Sequence, residues 1–213
     1  MSLLQKDRSV TIKLEDVSLP GDLIIPENAK GLVIFSHGSG SSRLSKRNIF
    51  VASILHKKGL GSLLFDLLTE EEDLVYETRF NIELLTKRLV EVTKQLEVDP
   101  KTASLRKGFF GASTGAASAL MAAAELKNTI KAIVSRGGRV DMAQERLAEI
   151  TAPTLFIVGG DDDGVLQLNE RAYTMLTCEK QLEIVPGATH LFEEPGTLEE
   201  VARLSSNWFS KYL

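Results

Sequence analysis

The chain has 213 residues, 43% of them hydrophobic and 25% charged, which is the balance of a globular protein with material for a substantial core. A formal net charge of −4 argues against nucleic acid or an anionic membrane as partner, and no apolar run approaches the ~20 residues of a membrane span. A single cysteine, Cys178, excludes an internal disulfide and fits a reducing cytoplasm. The opening MSLLQKDRSV lacks the apolar stretch of a secretory signal. With no composition shift, repeat or low-complexity tract, residues 1–213 read as one domain.

Residues 9–16 alternate polar and apolar and predict a half-solvated strand. Residues 19–25 follow a turn placed at Pro20-Gly21, and the two are expected to pair antiparallel. The run 31–37 is continuously apolar, as in a strand buried on both faces of a parallel sheet. A helix over 45–58 should pack through Phe50, Ile54 and Leu55, and 60–65 forms the next buried strand. Residues 66–76 are acidic and read as irregular, with Asp66 a turn or cap residue and Glu70-Glu71-Glu72-Asp73 a solvated charge run. Leu85, Leu89, Val92 and Leu96 give a helical stripe that stops near Asp99-Pro100.

The stretch KGFFGASTGAASALMAAAELK, residues 107–127, organises the rest. It reads as strand, sharp turn and alanine-rich helix, with Gly111-x-Ser113-x-Gly115 at the turn. A serine lifted out of a strained turn crowds its neighbours two positions away, so both must lack a Cβ. Strand 130–135 comes next, then the loop Arg136-Gly137-Gly138-Arg139 and a short helix capped by Asp141. Strand 153–158 ends at Gly159-Gly160-Asp161-Asp162-Asp163. Helix 166–176, strand 181–185, the loop Gly187-Ala188-Thr189-His190 and a final helix opening on a Thr197–Glu200 capping box complete the chain. Strands alternating with helices imply a mostly parallel eight-stranded sheet covered on both faces, an α/β fold with chemistry at the carboxyl strand ends.

A serine hydroxyl needs a base within hydrogen-bond reach before it attacks. Of three histidines, His56 lies beside Lys57 and Lys58 and reads as a surface residue, while His37 is expected to order its own loop. His190, in a loop able to reach over Ser113, is the expected base. The base needs a carboxylate to fix its tautomer, and Asp161, Asp162 and Asp163 compete, with Asp162 preferred. Backbone N–H groups of Ser39, in the Gly38-Ser39-Gly40 loop, and of Thr114 are expected to form an oxyanion hole.

The strand followed by His37-Gly38-x-Gly40, the elbow at Ser113, the Gly159-Gly160-x-Asp162 turn and the Gly187-x-x-His190-x-Phe192 loop together resemble the α/β-hydrolase superfamily, and more narrowly its dienelactone-hydrolase-like branch. The resemblance runs from about Thr11 to the end of the chain. It implies the α/β-hydrolase fold and acyl-enzyme chemistry on Ser113, His190 and Asp162. Its Gly-Gly-x-Asp pattern places the acid at Asp162 independently. Dienelactone hydrolases proper carry cysteine at the elbow, where this chain has serine.

About eighteen residues separate the strand at 130–135 from the next, leaving no room for a lid domain and predicting an open site for small acyl substrates. Arg136 and Arg139, on a loop at the active edge, could hold a substrate carboxylate or phosphate, or simply face solvent. No residue spacing suggests a metal site, no cofactor pattern is present, and the Gly-rich segments lack phosphate-loop or dinucleotide patterns. The expected activity is a cytoplasmic serine hydrolase acting on an ester, thioester or lactone. The alternatives are a peptidase or acyltransferase with the same three residues, and a hydrolase-fold binding protein that does no chemistry.

Overall fold

The computed structural model describes residues 8–213, so the expectation for the first seven residues lies outside the described part. Strands β1 (Arg8–Lys13), β2 (Ser18–Ile24), β3 (Gly31–Ser36), β4 (Gly61–Phe65), β5 (Arg106–Ala112), β6 (Ile130–Arg136), β7 (Thr154–Gly159) and β8 (Lys180–Val185) form one eight-stranded sheet, ordered β1-β2-β4-β3-β5-β6-β7-β8. β1 pairs antiparallel with β2, and β2 with β4; every later pairing is parallel. The helices are α1 (Lys46–Lys57), α2 (Glu70–Asp73), α3 (Ile82–Val98), α4 (Thr114–Leu126), α5 (Asp163–Met175) and α6 (Thr197–Tyr212). The four-residue α2 apart, α3, α4 and α5 cover one face, and α1 and α6 the other.

β3 shows why its sequence is an unbroken apolar run. Leu32 and Ile34 enter one core, Val33 and Phe35 the other, and all four are buried. α3 buries Leu85, Leu89, Val92 and Leu96 as its stripe requires. α4 is buried on nearly every side, and its run of alanines lets it lie close beneath the sheet. β4 lies on one side of β3 and β5 on the other, so the chain reverses its winding between these two strands. The carboxyl ends of β3 and β5 therefore frame a crevice, which is where α/β sheets place their sites.

Several expectations are corrected. The turn lies at Leu14–Val17, where the Leu14 N–H bonds the Val17 carbonyl, and Pro20-Gly21 is inside β2. Proline is tolerated there because, although Pro20 stands opposite Thr11 of β1, its carbonyl accepts the Asp66 N–H on the β4 side, so its nitrogen also faces that side, where the ladder begins only at Gly21. α1 buries Asn48, Val51, Ala52 and Leu55, while Phe50 and Ile54 are half-buried at its margin. His56 is half-buried and bonds the Ser62 hydroxyl at 2.8 Å, joining α1 to β4 rather than facing water. Asp141 does not cap the short 3-10 segment Val140–Glu149; its carboxylate is taken by Arg139. The Thr197 capping box does not form, because Gly196 precedes α6 in the left-handed conformation and the Thr197 hydroxyl donates to the Glu194 carbonyl.

The acidic stretch after β4 is not irregular. Thr69 and Glu72 form a reciprocal capping box that starts α2, and the Glu72 carboxylate takes a bidentate pair from Arg88 at 2.6 Å. Arg88 is buried, and it also donates to the Leu67 carbonyl at 2.8 Å, so Glu72 neutralises a charge the core would otherwise hold alone. Hydrogen bonds from Arg88 hold the Glu72 carboxyl below its ordinary value of 4.5. A lowered folded value means the stabilisation is full above the ordinary value and fades as pH falls through the lowered one. The melting-temperature gap between wild type and Glu72→Gln is therefore expected to be widest near neutral pH and to close in acid. A gap independent of pH would contradict the charged pairing.

Gly115 carries the tightest constraint on the elbow. A Cβ there would lie 2.2 Å from the Ser36 carbonyl oxygen and 2.4 Å from that of His37, both backbone atoms at the end of β3. Gly115→Ala is expected to cost on the order of 3 kcal/mol in urea unfolding, since the strand end cannot yield as a side chain would. Gly164→Ala, in α5 with open space around it, should be neutral or slightly stabilising. Equal stability of the two variants would refute the close approach.

Candidate active site

β5 leads directly into Ser113, whose φ of 51° and ψ of −122° are a conformation non-glycine residues rarely adopt. The turn is held from three sides. The Ser113 N–H bonds the Arg136 carbonyl at 3.2 Å, and the Ser113 carbonyl accepts from Ala116 and Arg139, each at 3.0 Å. A Cβ at Gly111 would meet the Ala116 Cα at 2.4 Å, so glycine is required on this side of the serine as well.

The structure brings three of the expected residues together. Ser113 Oγ lies 3.2 Å from His190 Nε2, and His190 Nδ1 lies 2.7 Å from Asp162 Oδ2. Asp162 is the cap residue of α5, yet its side chain makes no capping bond and faces the imidazole instead. Asp161 and Asp163 are exposed. The Asp161 N–H bonds the Ala188 carbonyl and Asp163 opens the first turn of α5, so only the middle aspartate meets the histidine.

The His190 loop is fixed by contacts that sequence patterns did not announce. Glu194 accepts from both the N–H and the hydroxyl of Thr189, at 3.1 and 2.6 Å, closing a tight turn around the histidine. Phe192 is buried with φ of 56°, a strained backbone held in place by the packing of its ring. The Arg136 guanidinium lies over that ring, 5.7 Å from its centre. Arg47 of α1 reaches Glu193 at 3.1 Å and ties the same loop to α1. Gly137 backs the imidazole, where an added Cβ would lie 3.4 Å from Cε1. A run of single contacts dispersed along the sequence has no motif to find.

The two loop arginines do not stand free at the site. Arg139 is paired with Asp141 at 2.8 and 2.9 Å. Arg136 is only 6% exposed and packs against Phe192; burial, with the charge of Arg47 second, pushes its pKa down to about 10. The placement of Arg136 follows from β6: it is the last residue of the strand, and the alternation that sends Ala132 and Val134 into the α1/α6 core sends Arg136 to the same side.

The loop after β3 is ordered as His37 was expected to order it. His37 Nε2 accepts from the Leu67 N–H at 3.0 Å, and Nδ1 lies 3.0 Å from the Gly38 carbonyl, which fixes a neutral ring protonated on Nδ1. Burial lowers its pKa, outweighing the Gly38 carbonyl and the charges of Asp66 and Asp73. Asp66 is no simple turn residue. It receives both the backbone N–H and the guanidinium of Arg43 at 2.6 Å, anchoring the far end of this loop to β4. The Ser39 N–H donates to the Thr114 hydroxyl at 2.8 Å. An open pocket beside this loop is lined by Ser39, Gly40, Leu68, Arg79 and Leu85, among others. Among the described residues no cluster of side chains could hold a metal ion, and no helix is long and apolar enough to cross a membrane.

Comparison with known proteins matches this architecture. The model of the dienelactone hydrolase family covers residues 19–210. A dienelactone hydrolase from Anabaena variabilis, known from its crystal structure, is 50% identical, covers 98% of both chains and superposes with a TM-score of 0.96. Est1E from Butyrivibrio proteoclasticus shares the fold at 16% identity, with a TM-score of 0.82 over 95% of this chain and 98% of its own. A Mycobacterium tuberculosis protein named a phosphoribosyl transferase is 52% identical over 98% of this chain, but the match takes in 47% of its own length. The chain thus spans about half the length of that relative. Between β6 and β7 the described residues hold only the 3-10 segment Val140–Glu149 and short links, so the site has no lid from that crossover. With its eight-stranded, mostly parallel sheet, helices on both faces and serine at the elbow, the chain has the α/β-hydrolase fold and belongs to the dienelactone hydrolase family.

Proposed function

We propose that this chain is a serine hydrolase that cleaves a small ester, thioester or lactone through an acyl-enzyme on Ser113. One observation carries the reading: a continuous hydrogen-bonded line runs from Ser113 Oγ to His190 Nε2 at 3.2 Å and from His190 Nδ1 to Asp162 Oδ2 at 2.7 Å. In it, His190 takes the serine proton as Oγ attacks the acyl carbon, and returns it to the leaving group. Asp162 holds the ring with its proton on Nδ1, leaving Nε2 free to accept. Water then attacks the acyl-enzyme with His190 again as base. The strain at Ser113 supports this role, since such a backbone persists only where packing enforces it.

The open surroundings favour small or projecting acyl groups over long chains. Arg139, neutralised by Asp141, and Arg136, buried under Phe192, are left out of the substrate-binding set; we assign Arg136 to holding the His190 loop. The transferase name of the mycobacterial relative does not carry over, because the match takes in under half of that protein, and residues 19–210 of this chain match the dienelactone hydrolase family.

A fluorophosphonate probe tests the reading. Stoichiometric labelling at Ser113 is expected, together with turnover of p-nitrophenyl acetate. Folded protein that neither labels nor turns over would favour a hydrolase-fold binding protein. Longer acyl chains should be poorer substrates, and preference for long-chain glycerides would overturn the open-site reading.

A further inference from the structure

The Thr114 side chain is the feature of the site that the hydrolase reading leaves unused. It is 2% exposed, sits next to the nucleophile, and accepts the Ser39 N–H at 2.8 Å. Among the described residues nothing accepts the hydrogen of its hydroxyl, and nothing accepts its backbone N–H at the start of α4. Buried donors are nearly always bonded, so two idle donors on one residue beside a reactive serine point to an acceptor that arrives with the substrate. Both groups belong to one threonine and are close enough to share a single oxygen. The N-terminus of α4 also favours negative charge at that spot.

We propose that the Thr114 hydroxyl is a catalytic oxyanion donor, and that the Ser39 N–H acts through it rather than on the substrate directly. This rests on the hydrolase reading above. As Ser113 Oγ bonds the acyl carbon, its proton passes to His190 Nε2 and the carbonyl π pair moves onto oxygen. That oxygen accepts from the Thr114 N–H and the Thr114 O–H. When the pair returns, the bond to the leaving group breaks and the imidazolium supplies its proton. Throughout, the Ser39 N–H donates to the Thr114 oxygen, which polarises the O–H and makes it a stronger donor. Ser39 is then a positioning residue, and the hole is built largely from one amino acid.

Thr114→Val nearly preserves shape, removes the hydroxyl and frees the Ser39 N–H to reach the substrate itself. Two arrangements therefore predict opposite outcomes. With the hydroxyl as donor, kcat for p-nitrophenyl acetate falls ~10²-fold with KM nearly unchanged, and Thr114→Ser recovers most of the loss. Binding of a trifluoromethyl ketone, whose adduct with Ser113 carries the same oxyanion, should weaken in parallel in the valine variant and recover in the serine variant. With the Ser39 N–H as direct donor, the valine variant is as fast as wild type or faster, which overturns the proposal. A merely structural role lowers the melting temperature while leaving kcat and ketone affinity alone, and that result overturns it too. The underlying reading fails separately: wild-type protein that does not label at Ser113 and does not hydrolyse the ester refutes the hydrolase assignment, and the proposal with it.

Discussion

Ser113→Ala is expected to abolish fluorophosphonate labelling and to lower kcat for small esters by ~10⁴-fold or more, with KM changed little. The alanine removes only the oxygen that becomes bonded to the acyl group. Binding and oxyanion stabilisation survive, so a residual acceleration of ~10³–10⁴ over the reaction in water should remain. The fold should be untouched, because the Ser113 side chain makes no capping bond and the strained backbone is held by main-chain contacts to Arg136, Ala116 and Arg139. His190→Ala should lose as much, and the double variant scarcely more than either single one, since residues that act as a unit lose activity together. Near-normal hydrolysis by the alanine variant would remove Ser113 from the mechanism.

Asp162→Asn is expected to be almost as damaging while altering no shape, with a fall in kcat of ~10⁴ near neutral pH. The carboxylate accepts from His190 Nδ1 at 2.7 Å and so keeps the proton there. An asparagine that turns its amide nitrogen toward Nδ1 stabilises the other tautomer, whose Nε2–H faces Ser113 Oγ and cannot take its proton. Asp161→Asn and Asp163→Asn serve as controls. Both residues are exposed and apart from the imidazole, and each should retain activity within about tenfold of wild type. Loss of activity in either control, with Asp162→Asn active, would move the acid along the loop and break the proposed line.

The legible parts of this chain share a physical origin. Leu32 to Phe35 had to be apolar without interruption because they supply two cores at once, and Leu85, Leu89, Val92 and Leu96 had to recur at helical spacing to supply one. Gly111 and Gly115 had to lack a Cβ because backbone passes within 2.4 Å of where it would stand. Local signals misled where they had more than one use. Thr69 and Thr197 both precede acidic residues at capping spacing, but only the first forms the box, since Gly196 already sets the entry to α6. Asp141 had the look of a cap and became the partner of Arg139.

The sequence by itself determined the order of strands and helices, the strained turn at Ser113 and the short crossover after β6, because each depends on neighbours in the chain or on a periodic pattern of burial. Tertiary structure decided which aspartate meets His190, which arginine is buried under Phe192, and that the Ser39 N–H is given to the Thr114 hydroxyl. The reason is directional. A hydrogen bond holds only within a few tenths of an ångström and a limited angle, so pairs 28 and 75 residues apart are settled by how the sheet twists and the loops seat, and no spacing along the chain encodes that.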